Sequence, residues 1–492
     1  MSELRMPANT KTIGLVVLLV TAALRAQEPA LPPGLGGQSP EPALPSGLGQ
    51  QPQQPQQPST AEPSLPPGLE TAPAAAAPAA DLAADDWWRQ LGVRGFLDLR
   101  AGSRLQHDPY ERTASLGEAR LRLEAEHQAV GLTFAAKGDF VLDTLESSWT
   151  PELERGAGWF DLRTGCVAAT PLPWLDFKFG RQVLTWGTGD LLFVNDMFPK
   201  DWVSFFVGRD DEYLKAPSDA LRLGLFTDLA NVDLVLTPRF DPDRYVRGER
   251  LSFYDPSLGR QAGRDAAQPP IVPDDWFADG ELALRVHKNL DAVELAAYAY
   301  VGRWKSPAGF DPVAGRATFP RLDVYGASAR GQLAGGITNL ELGYYESRQD
   351  AGGADPFVDN SQFRVLAGYE RDLPELADSL TVGAQYYLEA MLQHDDYLRT
   401  LPAGMPARDE LRHVVTLRVS KLLLDQRLRL SLFGYFSPSD HDAYLRPNAS
   451  YTIDDRWTVS AGANVFVGER DTTFFGQFDR DSNVFIAVRC SF

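Results

Sequence analysis

Residues 483–492 read Asn483-Val484-Phe485-Ile486-Ala487-Val488-Arg489-Cys490-Ser491-Phe492. Val484, Ile486, Val488, Cys490 and Phe492 form one apolar stripe, interleaved with Phe485, Ala487, Arg489 and Ser491. Successive side chains of a strand point to opposite faces, so this period of two puts the stripe on one side of a sheet. The texture extends back to Gly95. Leu121, Leu123 and Ala125 alternate with Arg120, Arg122, Glu124 and Glu126. Val232, Leu234 and Leu236 alternate with Asn231, Asp233 and Thr237. Leu380, Val382, Ala384, Tyr386 and Leu388 alternate with Thr381, Gly383, Gln385, Tyr387 and Glu389. One face is apolar and the other polar or charged.

Such segments predict about eighteen strands, sixteen being the alternative, starting near residues 94, 117, 129, 158, 173, 218, 230, 279, 291, 319, 337, 361, 379, 410, 426, 441, 456 and 483. Connections after even-numbered strands are short, as at 127–128, 170–173 and 288–290, whereas most after odd-numbered strands are long and rich in Asp, Gly and Pro, notably 184–217, 239–278, 302–318 and 392–409. A soluble sandwich has no reason to sort its loops this way. Membrane barrels do, with short turns on the periplasmic side and long loops outside. Closure is required physically, because an open edge in hydrocarbon leaves backbone groups without partners. The predicted fold is therefore an all-β, antiparallel, up-and-down transmembrane barrel spanning 87–492.

The rest of the chain fits export. An apolar run from Ile13 to Leu24, preceded by Arg5 and Lys11 and followed by small residues to Ala26, has the layout of a signal peptide over 1–26. Residues 27–86 are rich in Pro, Gln and Ala and repeat the phrase around Leu31-Pro32-Pro33-Gly34-Leu35, which predicts a disordered periplasmic tether. No later segment has the 18 apolar residues of a membrane helix, and strands of 9–11 residues can cross at a mean hydropathy of -0.25. The formal charge of -19 argues against a nucleic-acid partner. Cys166 and Cys490 are the only cysteines, so no disulfide framework is expected, and the alternation places both toward lipid.

With the apolar stripes facing lipid, the other face lines a lumen wide enough for water. Its early strands mix signs, with Arg120, Arg122 and Glu124, and Asp233, Glu294, Asp323 and Glu341 make the middle acidic. Strands fourteen to sixteen carry Arg412, Arg418, Arg427, Arg429 and Arg446 with no acid among their inward positions, a ladder suited to carboxylate or phosphate groups. The loop after the fifth strand, the third long one, holds Asp190, Asp196, Lys200, Asp201, Trp202, Phe205 and Phe206 among other apolar residues. Such side chains need burial, so the loop is expected to fold inward as a constriction. Small hydrophilic solutes or an anionic oligomer would then diffuse through without chemistry.

The aromatic C-terminal stripe resembles the signal read by barrel-assembly machinery. Gly180-Arg181-Gln182 leading to Trp186-Gly187, then Asn195-Asp196-Met197-Phe198-Pro199-Lys200-Asp201, resembles a pattern of porin-like barrels near the alginate-export porins. That resemblance implies an outer-membrane channel in contact with lipid; a homotrimer and a lone barrel both stay open, and with no metal-ligand cluster and no Cys-x-x-Cys-His site no cofactor is expected. Enzymatic barrels are a competing class, but the six histidines are scattered and fall in no His-Glu-x-x-His or Gly-x-Ser-x-Gly context. His413 with Ser420 or Ser431 could be assembled into a dyad on neighbouring strands, but any eighteen-stranded barrel permits such pairs by chance. A third class, a sheath around a separate multihaem cytochrome, needs no motif in this chain.

Overall fold

The computed structural model describes residues 92–145 and 148–492. The signal-peptide and tether readings, 1–26 and 27–86, lie outside the described residues. The barrel strands are β1 (Arg94–Arg104), β2 (Ala114–Ala129), β3 (Leu132–Asp143), β4 (Phe160–Leu172), β5 (Leu175–Val183), β6 (Pro217–Leu225), β7 (Asn231–Thr237), β8 (Glu281–Leu290) and β9 (Val293–Arg303). They continue as β10 (Arg321–Leu333), β11 (Gly336–Ser347), β12 (Gln362–Asp372), β13 (Leu380–Met391), β14 (Leu411–Leu423), β15 (Leu428–Ser437), β16 (Asp442–Thr452), β17 (Trp457–Gly468) and β18 (Asn483–Ser491). Each pairs antiparallel with its neighbours in sequence, and β1 pairs with β18 to close an 18-stranded sheet. At the seam, Gly95 and Phe492 exchange both backbone hydrogen bonds at 3.0 Å.

The predicted strand starts hold closely, the largest offsets being 117 against Ala114 and 129 against Leu132. Loop sorting holds as well. The short ends are tight turns such as Val130-Gly131 and Ala334-Gly335, all four residues at positive φ as two-residue hairpins of the primed type require.

Facing is read from exposure. On β1, Leu97 and Leu99 are exposed while Asp98 and Arg100 are buried, so the apolar stripe looks out and the polar face looks in. The same contrast separates Ile486 from Ala487 on β18. Exposed tryptophans mark both rims, Trp159 and Trp276 beside the long loops and Trp174 and Trp457 beside the short turns. This matches the aromatic girdles of membrane barrels.

Three facing expectations are corrected. A β-bulge between Lys137 and Gly138 inserts one residue into β4, so Cys166 pairs with Ala135 on the inward face and is buried rather than facing lipid. Asp323 falls on the outward parity of β10, since Leu322, Val324 and Ser328 are the inward residues, and is covered by Arg348. His413 faces outward against Tyr386, its Nδ1 2.7 Å from the phenol oxygen, while Ser420 and Ser431 face inward. The dyad is not assembled.

Candidate functional site

The loop between β5 and β6 lies inside the barrel. Its sequence explains how it folds there. Asp201 caps helix α1 (Trp202–Val207) by accepting the Ser204 N–H at 2.7 Å. Gly208 ends the helix at φ +92°, where a Cβ would stand 2.3 Å from the Phe485 ring on β18, so both conformation and space require glycine. A short 3-10 turn, Asp211–Leu214, then leads back to the wall.

Three sets of contacts hold the loop. On one side, Glu341 of β11 accepts the Gly189 N–H at 2.7 Å, the Thr188 hydroxyl at 2.9 Å and the Asn195 backbone and side-chain N–H at 3.1 and 2.8 Å, with the Thr188 N–H as a further donor. On the opposite side, an arginine wall meets the acidic run Asp210, Asp211 and Glu212. Arg489 bridges Asp98 at 2.9 Å and Asp210 at 3.1 Å, Arg446 pairs with Asp211, and Arg122 reaches Glu212 and donates to the Tyr213 hydroxyl at 2.7 Å. Arg122 is itself fixed by Asp139 at 2.6 Å, which Arg120 also contacts at 2.9 Å.

The third set is aromatic. Phe205 and Phe206 pack on Tyr444, Phe466 and Phe478, with ring centroids 5.7 Å from Tyr444 and 5.3 Å from Phe466. Asn483 donates to the Phe206 carbonyl at 3.0 Å. Tyr444, Phe433, Tyr435, Phe466 and Phe485 all stand on the polar parity of β15 to β18, and of these only Phe485 was placed on that face from the sequence. An aromatic repeatedly breaking the polar face was the available signal that something apolar packs inside.

The remaining predicted residues divide. Asp190 pairs with Arg418, and Asp196 accepts the Thr185 hydroxyl at 2.8 Å and pairs with Lys200 at 3.1 Å. Asp201 meets Arg244 at 3.3 Å, and the Trp202 indole donates to Asp243 at 3.1 Å. Glu124 pairs with Lys137 at 2.9 Å, and Asp233 with Arg222 at 2.8 Å.

The ladder itself needs correction. Asp442 opens β16 on the inward parity of Tyr444 and Arg446, so the strands do carry an acid, and loops bring more, Asp440 to Arg412 at 2.6 Å, Asp190 to Arg418 and Asp211 to Arg446. Arg427 is not on a strand: it sits in the short turn before β15 and donates to the Thr452 carbonyl at 3.1 Å. Arg429 faces inward near that end, exposed and with no ion pair among the described residues.

Above the loop, toward the long connections, a cavity of about 400 Å³ opens between Phe193 and Trp202 on one side and β11 to β14 on the other. Arg364 lies 3.9 Å over the Tyr345 ring and 3.4 Å from Glu389, which accepts the Tyr387 hydroxyl at 2.7 Å. At its margin, Lys305 pairs with Glu281 at 2.6 Å, and Arg408 with Asp359 at 3.0 Å. Nearby, burial pushes the Asp241 carboxyl up to about 6, Lys305 opposing and Glu281 and Asp219 reinforcing the shift.

A closed sheet with an apolar outer band, aromatic rims, a polar interior and a loop folded into it leaves one architecture. The chain is a closed eighteen-stranded antiparallel β-barrel of the membrane-spanning kind. Solved structures with some likeness to this barrel include a mutant porin of Rh. blastica (TM-score 0.34, 14% identity, 81% of this chain and 99% of that chain). OmpT of Vibrio cholerae, in a trimer form, gives 0.38 at 13% identity over 81% of this chain and 99% of that one. OccAB1 of Acinetobacter baumannii gives 0.46 at 11% identity over 82% and 96%. At these scores the assignment rests on the barrel's own geometry. No protein-family model matches the sequence, and no curated protein matches it.

Proposed function

We propose that the protein is a passive outer-membrane channel for small hydrophilic solutes, narrowed by its third long loop. The observation that carries this reading is the loop's position inside the lumen, tied to Glu341 on one wall and to the arginines of β1, β2, β16 and β18 on the other. A segment fixed on two walls narrows the lumen without closing it by a hinge. The balance of charge around it favours general polar solutes over anions, since Arg412, Arg418 and Arg446 each face a carboxylate. Residues 1–26 as an export signal and 27–86 as a periplasmic tether complete the reading. Single-channel recording in planar bilayers tests it: the intact protein should conduct, and deleting 190–209 should raise the conductance. No conductance would overturn the channel, and an unchanged value the constriction.

A further inference from the structure

The cavity above the third loop has the chemistry of a binding subsite. Its walls present aromatic faces from both the loop and the barrel, Phe193 and Trp202 opposite Tyr345 and Tyr387, with Trp304 and Phe474 at the ends. Its volume, about 400 Å³, falls within the roughly 300–1,000 Å³ of small-molecule sites.

Charge decides the class of ligand. Every cation on the lining, Lys200, Lys305, Arg364, Arg408 and Arg412, already stands beside a carboxylate within 3.4 Å. At the two buried pairs, Lys200 with Asp196 and Lys305 with Glu281, an anion would have to displace a buried carboxylate, which is costly. A neutral solute with many hydroxyls keeps the pairs intact. Arg412 gives its Nε–H to Asp440, and Arg364 gives its Nε–H and one Nη2–H to Gln362. The other N–H groups of these forks can donate to hydroxyl oxygens, and lone pairs on Glu389 can accept from hydroxyls. The apolar C–H face of a ring would lie on Tyr387 or Trp202.

We propose that this cavity binds a neutral ring polyol of hexose size before it reaches the constriction. The inference rests on the channel reading for the passage of the solute, but the binding itself does not require conduction.

Calorimetric titration of the full chain in detergent micelles with glucose and, separately, with glucuronate tests it. The two differ by one carboxylate. Glucose should bind saturably and glucuronate about tenfold more weakly. Tyr387→Ala should weaken glucose about tenfold, and Tyr387→Phe, which keeps the ring, should restore most of the affinity and show that the site still folds. Glucuronate binding more tightly than glucose, or neither binding, overturns the proposal. Glucose binding by a protein that fails to conduct in bilayers upholds the subsite and overturns the channel.

Discussion

The carboxylate of Glu341 accepts the backbone N–H of Gly189 at 2.7 Å, which ties the first part of the third loop to β11. It takes further donors from Thr188 and Asn195. Removing an acceptor shared by several donors leaves each at a cost of about 1–3 kcal/mol if it stays buried, so the loop should leave the wall rather than keep its place. Glu341→Ala is expected to raise single-channel conductance and broaden its noise. Faster amide exchange over 188–195 should accompany it; an unaltered current trace counts against Glu341 as the anchor.

Gly208 is the second fixed point of that loop. Alanine there meets both a left-handed backbone, costing about 1 kcal/mol, and the Phe485 ring. Gly208→Ala should lower the thermal midpoint of the barrel and shift its conductance, whereas Gly404→Ala, also at positive φ but in open space, carries only the backbone cost. Equal losses in the two variants would mean that contact with Phe485 is unimportant.

Ion preference should respond to Arg429, the inward-facing member of the ladder with no ion pair among the described residues, not to the members that have one. Arg429→Glu places a new negative charge on the inward face near the short-turn end and is expected to move the reversal potential under a salt gradient toward cation preference. Arg427→Glu changes a turn residue and should move it much less. Matching shifts for both would place Arg427 in the ion path after all.

The packing of the 238–280 loop should depend on pH. Asp241 in the folded protein holds its proton up to about 6 against a normal value of 3.8, so the folded form binds a proton that the unfolded chain has released. Stability from this group is thus greatest below about pH 4 and falls as pH rises through 6, by on the order of 2 kcal/mol. Thermal midpoints at pH 5 and 7.5 should show the loss at the higher value, and Asp241→Asn should flatten the difference. An unchanged slope in that variant would assign the dependence to other groups.

How much of this was legible follows from what each signal depends on. Strand positions were readable because alternation is local: Leu121 to Glu126 declare their faces without reference to anything distant. The inward loop was legible from composition, since Phe205 and Phe206 needed cover. What it touches was not. Pairings such as Arg446 with Asp211 join residues separated by 235 positions, and alternation says nothing about which loop acid meets which wall arginine. Three of the five arginines of that row, Arg412, Arg418 and Arg446, are therefore met by loop carboxylates that alternation could not reveal. The facing of Cys166 failed for a local reason, one extra residue at a bulge that exchanges the faces beyond it.

The seam between β1 and β18 bears on how the barrel comes to exist. Asp98 and Arg489, which meet across it at 2.9 Å, lie 391 residues apart in sequence. Bringing such ends together costs about 5 kcal/mol of chain entropy before any contact at the seam rewards it, and such non-local pairing is intrinsically slow. Hairpins between neighbouring strands have no such delay. Sealing of the barrel is thus expected to be its late kinetic event. Until then the outer edges of β1 and β18 hold unpaired amides and carbonyls that hydrocarbon cannot satisfy, and those two strands are where the growing sheet most needs shelter.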